Sequence, residues 1–226
     1  KHKGIIANPN CSTIIMVMAL KPIYDLAKIK RVIVSTYQAV SGAGKEGIDE
    51  LDAQVRDHSE GREMTANILP SASAEKHYPI AFNLIPQIDV FCDNLYTKEE
   101  MKMVNETKKI MEDYEMRITA TTIRVPVYRS HSESVNIELE KEVDLGAMRE
   151  ALAKFPGVTV QDDPSKQEYP MPLYTSEKDD VYVGRLRRDE SCEKSYNIWV
   201  VGDQIRKGAA LNTLQIAETM IKNGWI

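Results

Sequence analysis

The sequence predicts an α+β fold in which helices flank a mixed or antiparallel sheet. Segments rich in β-branched residues alternate with segments of helical periodicity, but they do not follow the regular strand–helix–strand order of a parallel sheet. Two late strand-like segments, VYVGRLRRD and SYNIWVVGD, lie close enough along the chain to form a hairpin, which is an antiparallel pair.

The first part of the chain is predicted to be a turn, a helix and a strand. Residues 1–10 are predicted to be extended with an Asn-Pro-Asn turn, because proline disfavours helical geometry in the residue before it. A helix is predicted from Cys11 to about Lys28, capped by Asn10 and kinked or divided at Pro22. The β-branched segment IKRVIVSTYQAV, residues 29–40, is predicted to be a strand.

The next elements surround a long irregular segment. The glycine-rich SGAGKEG is predicted to turn into an amphipathic helix, IDELDAQVRDH. Residues 59–96 show no sustained period and contain several prolines, so an irregular excursion is expected. A helix follows over TKEEMKMVNETKKIMED, where Thr97 and Glu100 have the spacing of a capping box.

The remaining elements alternate between strands and helices. RITATTIRVPV and SESVNIELE are predicted to be strands joined by YRSH, VDLGAMREALAKF a helix, GVTVQDD a strand, and KQEYPMPLYTSEKDD irregular. The hairpin comes next. The final QIRKGAALNTLQIAETMIKN is predicted to be a helix that Gly224 ends.

Composition excludes several classes of function. The net charge of −5 argues against a nucleic-acid-binding protein, which would carry a basic face. The longest apolar run, Ile14 to Leu20, is far shorter than the roughly 20 residues that span a membrane. No secretory signal is recognisable, so a cytoplasmic location and no membrane partner are expected. Scattered histidines and cysteines predict neither a disulfide framework nor a metal site.

Cys11 is the cysteine whose surroundings suggest chemistry. A cysteine at the start of a helix lies near the positive end of the helix dipole, which favours a reactive thiolate. A half-buried cysteine that packs as a small hydrophobe fits the local pattern equally well. Cys92 and Cys192 lack such a setting and are expected to be structural or incidental.

Two further segments could contribute to a site. The segment QAVSGAGKEG could offer backbone N–H groups to an anion, although glycines also simply make tight turns. Arg124, Arg129 and His131 lie close together around a predicted strand break. A histidine can move protons for a reactive cysteine, and the guanidinium of Arg124 can hold a carboxylate.

Taken together, five motifs resemble the aspartate-β-semialdehyde dehydrogenase family. They are NPNCST, TYQAVSGAG, TKEEMK, RVPVYRSHSESVNIE and DQIRKGAALNTLQIAE, and they span Asn8 to Glu218. The resemblance implies a dimerisation domain similar to the C-terminal domain of glyceraldehyde-3-phosphate dehydrogenase, with leftover helices of a truncated Rossmann domain. It also implies a homodimer or homotetramer.

The resemblance implies a role for each matching residue. The catalytic residues would be Cys11 as nucleophile, His131 as acid/base and Gln38, which helps to position the acyl group. The substrate would be held by Asn10, Glu99, Lys102 and Arg124. The cofactor NADP would be contacted by Ser41, Gly42, Gly44 and Gln204.

The reaction that the resemblance implies has two halves. Cys11 attacks L-aspartyl-4-phosphate, and phosphate leaves to give a thioester. NADPH then delivers hydride, and L-aspartate-4-semialdehyde is released with His131 moving the proton. In the family this step belongs to the biosynthesis of lysine, methionine and threonine.

The chain also departs from the family pattern. The family has a strand, a glycine-rich dinucleotide turn and a phosphate-binding arginine ahead of its cysteine, whereas ten residues precede Cys11 here. A fragment without activity of its own is therefore expected, divided into a remnant of the NADP-binding domain (1–12), a catalytic and dimerisation domain (13–203) and a C-terminal helix (204–226). The apolar segments IIMVMAL and LQIAETMI would then be exposed or covered by a partner.

Three alternatives remain open. N-acetyl-glutamyl-phosphate reductase shares the cysteine and the SGAG turn but has a different cysteine motif from NPNCST. A malonyl-CoA reductase would also have a carboxylate for Arg124 to bind. The chain could instead serve as a dimerisation module with no chemistry of its own.

Overall fold

Six strands form one mixed sheet in a computed structural model that describes residues 4–226. The strand order is β2-β1-β3-β6-β5-β4, which confirms the expected fold class. The strands are β1 (Ile29–Gln38), β2 (Arg117–Arg124), β3 (His131–Leu139), β4 (Val158–Val160), β5 (Val181–Arg188) and β6 (Ser195–Gly202).

Helices flank the sheet, and most of them lie where helical periodicity predicts them. The α-helices are α1 (Cys11–Leu26), α2 (Lys45–Ser59), α3 (Lys98–Ile110), α4 (Leu145–Lys154), α5 (Pro172–Thr175) and α6 (Leu211–Lys222). Short 3₁₀ helices span Val40–Ala43 and Pro164–Lys166, and a π-helix spans Arg206–Ala210. Within residues 4–226, no helix combines the length and apolar character that crossing a membrane requires.

Strand β1 lies inside the sheet and makes it mixed. It pairs in parallel with β2 and antiparallel with β3, so the two strands joined by YRSH are separated by β1 rather than paired with each other. Strands β5 and β6 form the expected antiparallel hairpin. Strands β1 and β2 end, and β3 begins, at the same edge of the sheet. Gln38, Arg124 and His131 therefore lie close together there.

Helix α1 covers one face of the sheet, and it differs from two expectations. Pro22 does not divide the helix, because the buried apolar contacts of Ile15, Leu20 and Ile23 hold the turn whose hydrogen bond proline removes. The IIMVMAL segment is mostly buried rather than exposed, since α1 packs on the sheet that the chain itself provides. The LQIAETMI segment behaves as expected: Leu214 is 56% exposed and Ile221 is 65% exposed.

The sheet has one buried and one more open face, as alternation along a strand requires. On β1, Val32, Val34, Thr36 and Gln38 are buried towards α1. The opposite face carries side chains that are partly exposed or exposed: Arg31, Ile33, Ser35, Tyr37, Thr121, Ser134, Asn136 and Trp199.

The excursion between α2 and α3 is irregular, as expected, but it is packed. Gln54 of α2 accepts hydrogen bonds from the backbone N–H groups of Ile80 and Ala81 at 2.8 and 3.0 Å, and donates one to the carbonyl of Thr65 at 2.9 Å. A second small core joins this segment to α2 and the SGAG turn; its buried members are Val40, Leu51, Leu69, Ile80, Ala81 and Ile85.

Element boundaries near the SGAG turn differ from the expected ones. The strand expected to reach Val40 ends at Gln38, and the next helix begins at Lys45, inside the segment assigned to the turn. His131 belongs to β3 rather than to the connection before it. At the C-terminus, Gln204 precedes the helical turns, and the chain leaves α6 through Gly224 at φ 65°, as predicted.

Candidate active site at the start of the first helix

Cys11 is the first residue of α1, and Asn10 caps the helix. The side-chain oxygen of Asn10 accepts from the Thr13 N–H at 3.0 Å, which is the bond expected of an N-cap. The Asn10 backbone N–H donates to Glu106 Oε2 at 2.7 Å. These bonds fix the turn before the helix and therefore the position of the thiol.

Glu99 joins the cap to the end of β1. Its Oε1 accepts from Asn10 Nδ2 at 2.8 Å and from Gln38 Nε2 at 3.3 Å. Lys102 lies at the edge of this group, with Nζ 3.5 Å from Glu99 Oε2 and 3.3 Å from Asp89 Oδ2. The first turn of α3 thus places a buried carboxylate and a half-exposed ammonium beside the start of α1.

The main chain of Ala39 orients two of the predicted residues. Its N–H donates to His131 Nδ1 at 3.0 Å, and its carbonyl accepts from Arg124 Nη1 at 2.7 Å. Both side chains are buried, with exposed fractions of 0% for His131 and 3% for Arg124. Ala39, directly after β1, therefore holds both His131, which is expected to move protons, and Arg124, which is expected to bind a carboxylate.

Two glycines let other segments approach these residues closely. A Cβ on Gly42 would lie 2.5 Å from Arg124 Nη1 and 3.3 Å from His131 Nε2. A Cβ on Gly208, in the π-helix, would lie 3.0 Å from the Cβ of Cys11. The SGAG turn and the π-helix therefore form two walls of the site, and π-helical turns are often found at functional sites.

Ser41 and Gln204, both predicted to touch the cofactor, contact each other. The Gln204 side-chain amide donates to Ser41 Oγ, and its oxygen accepts from the Ser130 N–H at 2.9 Å. Both polar atoms of Gln204 are thus used inside the chain. Gly44 is different, because a Cβ there would have no atom within 4 Å.

Burial controls the ionisation of the candidate nucleophile. Cys11 is partly buried; burial and, secondly, the charge of Glu99 together raise the pKa of its thiol to about 12, although Arg124 opposes them. The expectation that the helix start favours a thiolate is therefore wrong for this chain: removing the sulfur from water outweighs the helix dipole. At neutral pH the group is a thiol.

The basic residues of the site are also affected by burial. Burial lowers the pKa of His131 well below its ordinary value of 6.5, and the neighbouring Arg124 charge lowers it further. The ring is therefore neutral at pH 7. Burial also lowers the pKa of Arg124, while Glu99 and Cys11 favour its charged form.

Sequence reasoning found most of these residues but missed some of those that position them. Ala39 acts through its main chain, so its side chain carries no signal. Gly208 was assigned to a helix, and a glycine inside a helical segment was the available signal of a close approach. Arg129 was found, and it pairs with the buried Asp203 at 2.7 Å and with Glu177 at 3.2 Å.

Glu133 was also missed. It lies on β3 two residues after His131, is 0% exposed, and neither carboxylate oxygen has a hydrogen-bond partner among the described residues. Burial raises its pKa well above the ordinary 4.5. Just above pH 4.5, the Glu133 carboxyl is therefore neutral in the folded chain, whereas in the unfolded chain it is ionised.

We expect Glu133→Gln to stabilise the chain increasingly as the pH rises above about 5. Because the pKa of Glu133 is higher in the folded than in the unfolded chain, its contribution to stability is present below the unfolded pKa. Above that pH the parent chain loses this stability at about 1.4 kcal/mol per pH unit. Urea unfolding of both proteins between pH 4 and pH 8 measures the difference.

Glu138→Gln is the matched control on the same strand. Its pKa is lowered by the hydrogen bond from Lys30 and by Arg117 and Arg31, so its contribution is present at high pH and is lost on acidification. The two variants should therefore change stability in opposite directions with pH. A Glu133→Gln effect that does not vary with pH would show that the carboxyl is ionised in the folded chain.

Within residues 4–226, no group of three or more histidine, cysteine, aspartate or glutamate side chains could hold a metal ion. The residues that could accept a cofactor lie along the SGAG turn. Ser41 and Gly42 are held against the site, and the space beside Gly44 is open.

The profile of the family described as "Semialdehyde dehydrogenase, dimerisation domain" matches residues 20–207. "Aspartate-semialdehyde dehydrogenase" from Aquifex aeolicus is 54% identical over 226 residues, which is 100% of this chain and 65% of the relative. The Bacillus subtilis protein of the same name is 52% identical over 98% of this chain and 64% of its own length.

Solved structures give the same result. The crystal structure of aspartate semialdehyde dehydrogenase II from Vibrio cholerae, complexed with ASA, superimposes with a TM-score of 0.89 at 46% identity. It is matched over 96% of this chain and 62% of its own length. The chain thus spans somewhat less than two thirds of these proteins.

Proposed function

Because the chain belongs to the semialdehyde dehydrogenase dimerisation-domain family, we propose that it carries the catalytic residues of an aspartate-semialdehyde dehydrogenase. The observation that carries the proposal is the convergence of Cys11, Arg124 and His131 at one end of the sheet. Cys11 supplies a nucleophile, Arg124 a site for a carboxylate, and His131 a ring nitrogen.

The first half of the reaction acylates Cys11. The sulfur attacks the acyl carbon of L-aspartyl-4-phosphate, the carbon–oxygen bond to phosphate breaks, and phosphate leaves with the electron pair. Arg124 binds the α-carboxylate, and Glu99 binds the ammonium group of the same substrate. Lys102 is the cation at the edge of the site that can meet the phosphate.

The second half reduces the thioester on Cys11. NADPH, when bound, supplies the hydride for this reduction. The open space beside Gly44 on the SGAG turn fits such a group. Gly42 is packed against Arg124 and His131, and Gln204 holds Ser41 and Ser130, so these residues contribute only indirectly. The ring of His131 transfers a proton to the carbonyl oxygen of the acyl group or forms a hydrogen bond with it.

Protection of Cys11 by the product aldehyde tests this proposal on the chain itself. An aldehyde bound by Arg124 and Glu99 adds reversibly to the sulfur and blocks alkylation. We expect L-aspartate-4-semialdehyde to slow the alkylation of Cys11 by iodoacetamide at pH 9, as measured by peptide mass mapping. Cys192, in the β5–β6 loop, is the internal control and should be alkylated at an unchanged rate.

The same experiment separates the alternatives. N-acetyl-L-glutamate semialdehyde and malonate semialdehyde are tested at equal concentrations beside the aspartate compound. Stronger protection by the first would favour N-acetyl-glutamyl-phosphate reductase, and stronger protection by the second a malonyl-CoA reductase. No protection by any of the three would contradict the proposal.

We further propose that a second copy of the chain packs on the open face of the sheet, in keeping with the family description. This face carries a shallow cavity of about 330 Å³ lined by residues that include Ser134, Pro170 and Trp199. Light scattering at micromolar concentration should give twice the monomer mass, and Ser134→Arg, which adds a bulky side chain and a further positive charge beside Arg185 and Arg187, should give the monomer. A monomeric parent chain would count against this interface.

A further inference from the structure

Asp203 follows β6 directly, and its carboxylate is fully buried. Oδ1 accepts from the backbone N–H groups of Ile205 and Arg206 at 2.9 and 3.0 Å. The first N–H groups of a helix have no partner within the helix, and a side-chain oxygen commonly satisfies them. The Asp203 side chain therefore fixes the point at which the π-helix begins.

The main chain of Asp203 helps to set the spacing of the π-helix. Its carbonyl accepts from the Gly208 N–H at 3.1 Å, and the carbonyl of Ile205 accepts from the Ala210 N–H at 3.0 Å. Each bond spans five residues, which is the spacing of a π-helix, whereas an α-helix spans four. The residue that holds the first turn thus also accepts the bond that places Gly208.

The second carboxylate oxygen joins Asp203 to two other segments. Oδ2 accepts from the Glu177 N–H at 2.6 Å and lies 2.7 Å from Nε of Arg129. Arg129, two residues before β3, also pairs with the Glu177 side chain at 3.2 Å. Burying a charge is costly unless it is paired and hydrogen-bonded. The Asp203 carboxylate meets both conditions, and these contacts hold it in one orientation.

Gly208 has to be the residue that faces Cys11, because a side chain does not fit there. A Cβ on Gly208 would lie 3.0 Å from the Cβ of Cys11, whereas carbon atoms pack at about 3.5 to 4.0 Å. Both neighbours, Lys207 and Ala209, carry a Cβ. Successive residues point in different directions, about 100° apart in an α-helix, so a shift of one residue would turn a neighbour towards Cys11. The π-helix would then have to move away from Cys11.

A displaced π-helix would change the surroundings of the thiol. Burial is the largest cause of the raised pKa of Cys11, and Gly208 is one of the residues packed against it. The charges that act on the sulfur belong to Glu99 on α3 and Arg124 on β2, and Asp203 is not among them. An effect of Asp203 on the thiol therefore has to pass through the position of the π-helix.

We propose that Asp203 is a positioning residue, which sets the register of the π-helix and so keeps Gly208 against Cys11. Its bearing on the reaction rests on the proposed function, in which Cys11 is the nucleophile. The register does not, because it follows from the bonds of Asp203 and from the close approach of Gly208.

Alkylation of Cys11 by iodoacetamide in Asp203→Ala tests the proposal. Without the bonds from Ile205 and Arg206 the π-helix should leave Cys11, so that water reaches the sulfur and its pKa falls. We expect alkylation about tenfold faster at pH 7, since a pKa roughly two units lower gives about a hundredfold more thiolate of lower nucleophilicity. The rate should level off at about pH 10, where that of the parent chain still rises.

Two substitutions separate the position of the π-helix from the loss of a charge. Asp203→Asn keeps an oxygen for the first N–H groups of the π-helix and should retain most of the parent pH profile, although it loses the charge that Arg129 neutralises. Asp179→Ala removes an exposed carboxylate that pairs with Arg206 of the π-helix, and should leave the profile unchanged. The alkylation rate of Cys92, from the same peptide mass maps, reports any general opening of the chain.

Gly208→Ala tests the same contact from the other side and does not depend on the folding of Asp203→Ala. Its methyl group has to push the π-helix off Cys11, so the pH profile should shift in the same direction. The double variant should shift no further than the larger of the two single variants, because both substitutions break one contact. Additive shifts would show that Asp203 acts on the thiol by another route.

Protection by the aldehyde tests the bearing of Asp203 on the reaction. The concentration of L-aspartate-4-semialdehyde that half-protects Cys11 should rise about tenfold in Asp203→Ala, because a displaced sulfur meets the bound aldehyde poorly. It should change little in Asp203→Asn. An unchanged concentration in Asp203→Ala would show that Asp203 does not position the nucleophile.

The outcomes are distinguishable. A parent-like pH profile in Asp203→Ala, an equal shift in Asp203→Ala and Asp203→Asn, or an equal acceleration of Cys92 overturns the inference and leaves the proposed function intact. Failure of every semialdehyde to protect Cys11 in the parent chain overturns the proposed function and leaves the register of the π-helix untouched.

Discussion

Alkylation of Cys11 by iodoacetamide is expected to be roughly a hundredfold slower at pH 7 than alkylation of an unstructured cysteine peptide. A thiol with a pKa of about 12 has about three thousandfold less thiolate at pH 7 than one near 8.5. The greater nucleophilicity of a more basic thiolate recovers part of that loss. The rate should rise tenfold per pH unit up to pH 10, whereas the peptide rate levels off above about pH 8.5.

Charge substitutions around Cys11 should move this rate in opposite directions. Glu99→Gln removes a negative charge that raises the thiol pKa, so alkylation at pH 7 should become faster. Arg124→Met removes a positive charge that lowers it, so alkylation should become slower. Glu106→Gln is the matched control, because Glu106 also lies on α3 and bonds the Asn10 backbone but does not act on the thiol.

Peptide mass mapping follows Cys11 separately from the other two cysteines. A rate that levels off near pH 8.5, or no response to Glu99→Gln, would show that the sulfur is not desolvated as the structure implies. The raised pKa also has a consequence for the mechanism. The thiol keeps its proton until a substrate with its own charges enters, and in the proposed acylation of Cys11 the leaving phosphate can then take that proton.

Local signals in the sequence predicted most of the elements. The Thr97 and Glu100 capping box begins α3 where it was expected, and its two reciprocal hydrogen bonds are present. The β-branched segments became strands, and Gly224 ended the last helix. These features depend on residues only a few positions apart, which is the range over which sequence patterns are informative.

Features set by long-range packing were not predictable in the same way. The pairing of β1 between β2 and β3 and the burial of α1 depend on segments tens of residues apart. The contact of Gly208 with Cys11 brings opposite ends of the chain together. The motif resemblance collected the site residues, but only the structure reveals that the Ala39 main chain orients two of them.

In a hybrid enzyme, which joins this chain to the part of the Aquifex aeolicus relative that it does not match, Gly42→Ala is expected to lower kcat/KM for L-aspartyl-4-phosphate by about 100-fold, since displacing reacting groups by about 1 Å can cost that much. The new methyl group would lie 2.5 Å from Arg124 Nη1 and 3.2 Å from His131 Cε1. Neither side chain can move aside freely. Both are buried, and both are tied to the Ala39 main chain.

Gly44→Ala, two residues along the same turn, is the control that separates activity from stability. Gly44 has φ 83° and open space around it, so alanine there strains the backbone but displaces no side chain. Both substitutions should lower the free energy of unfolding by about 1 to 3 kcal/mol, one through overpacking and the other through strain. Only Gly42→Ala should also disturb Arg124 and His131.

The contrast between Gly42→Ala and Gly44→Ala can also be measured in this chain by the protection of Cys11, which does not require turnover. Given the proposed role of Arg124 in binding the carboxylate of the aldehyde, the concentration of L-aspartate-4-semialdehyde that half-protects Cys11 should rise about tenfold or more in Gly42→Ala. It should change little in Gly44→Ala. Equal effects of the two substitutions on protection would mean that the turn acts only through overall stability, and that its close approach to Arg124 and His131 has no part in binding.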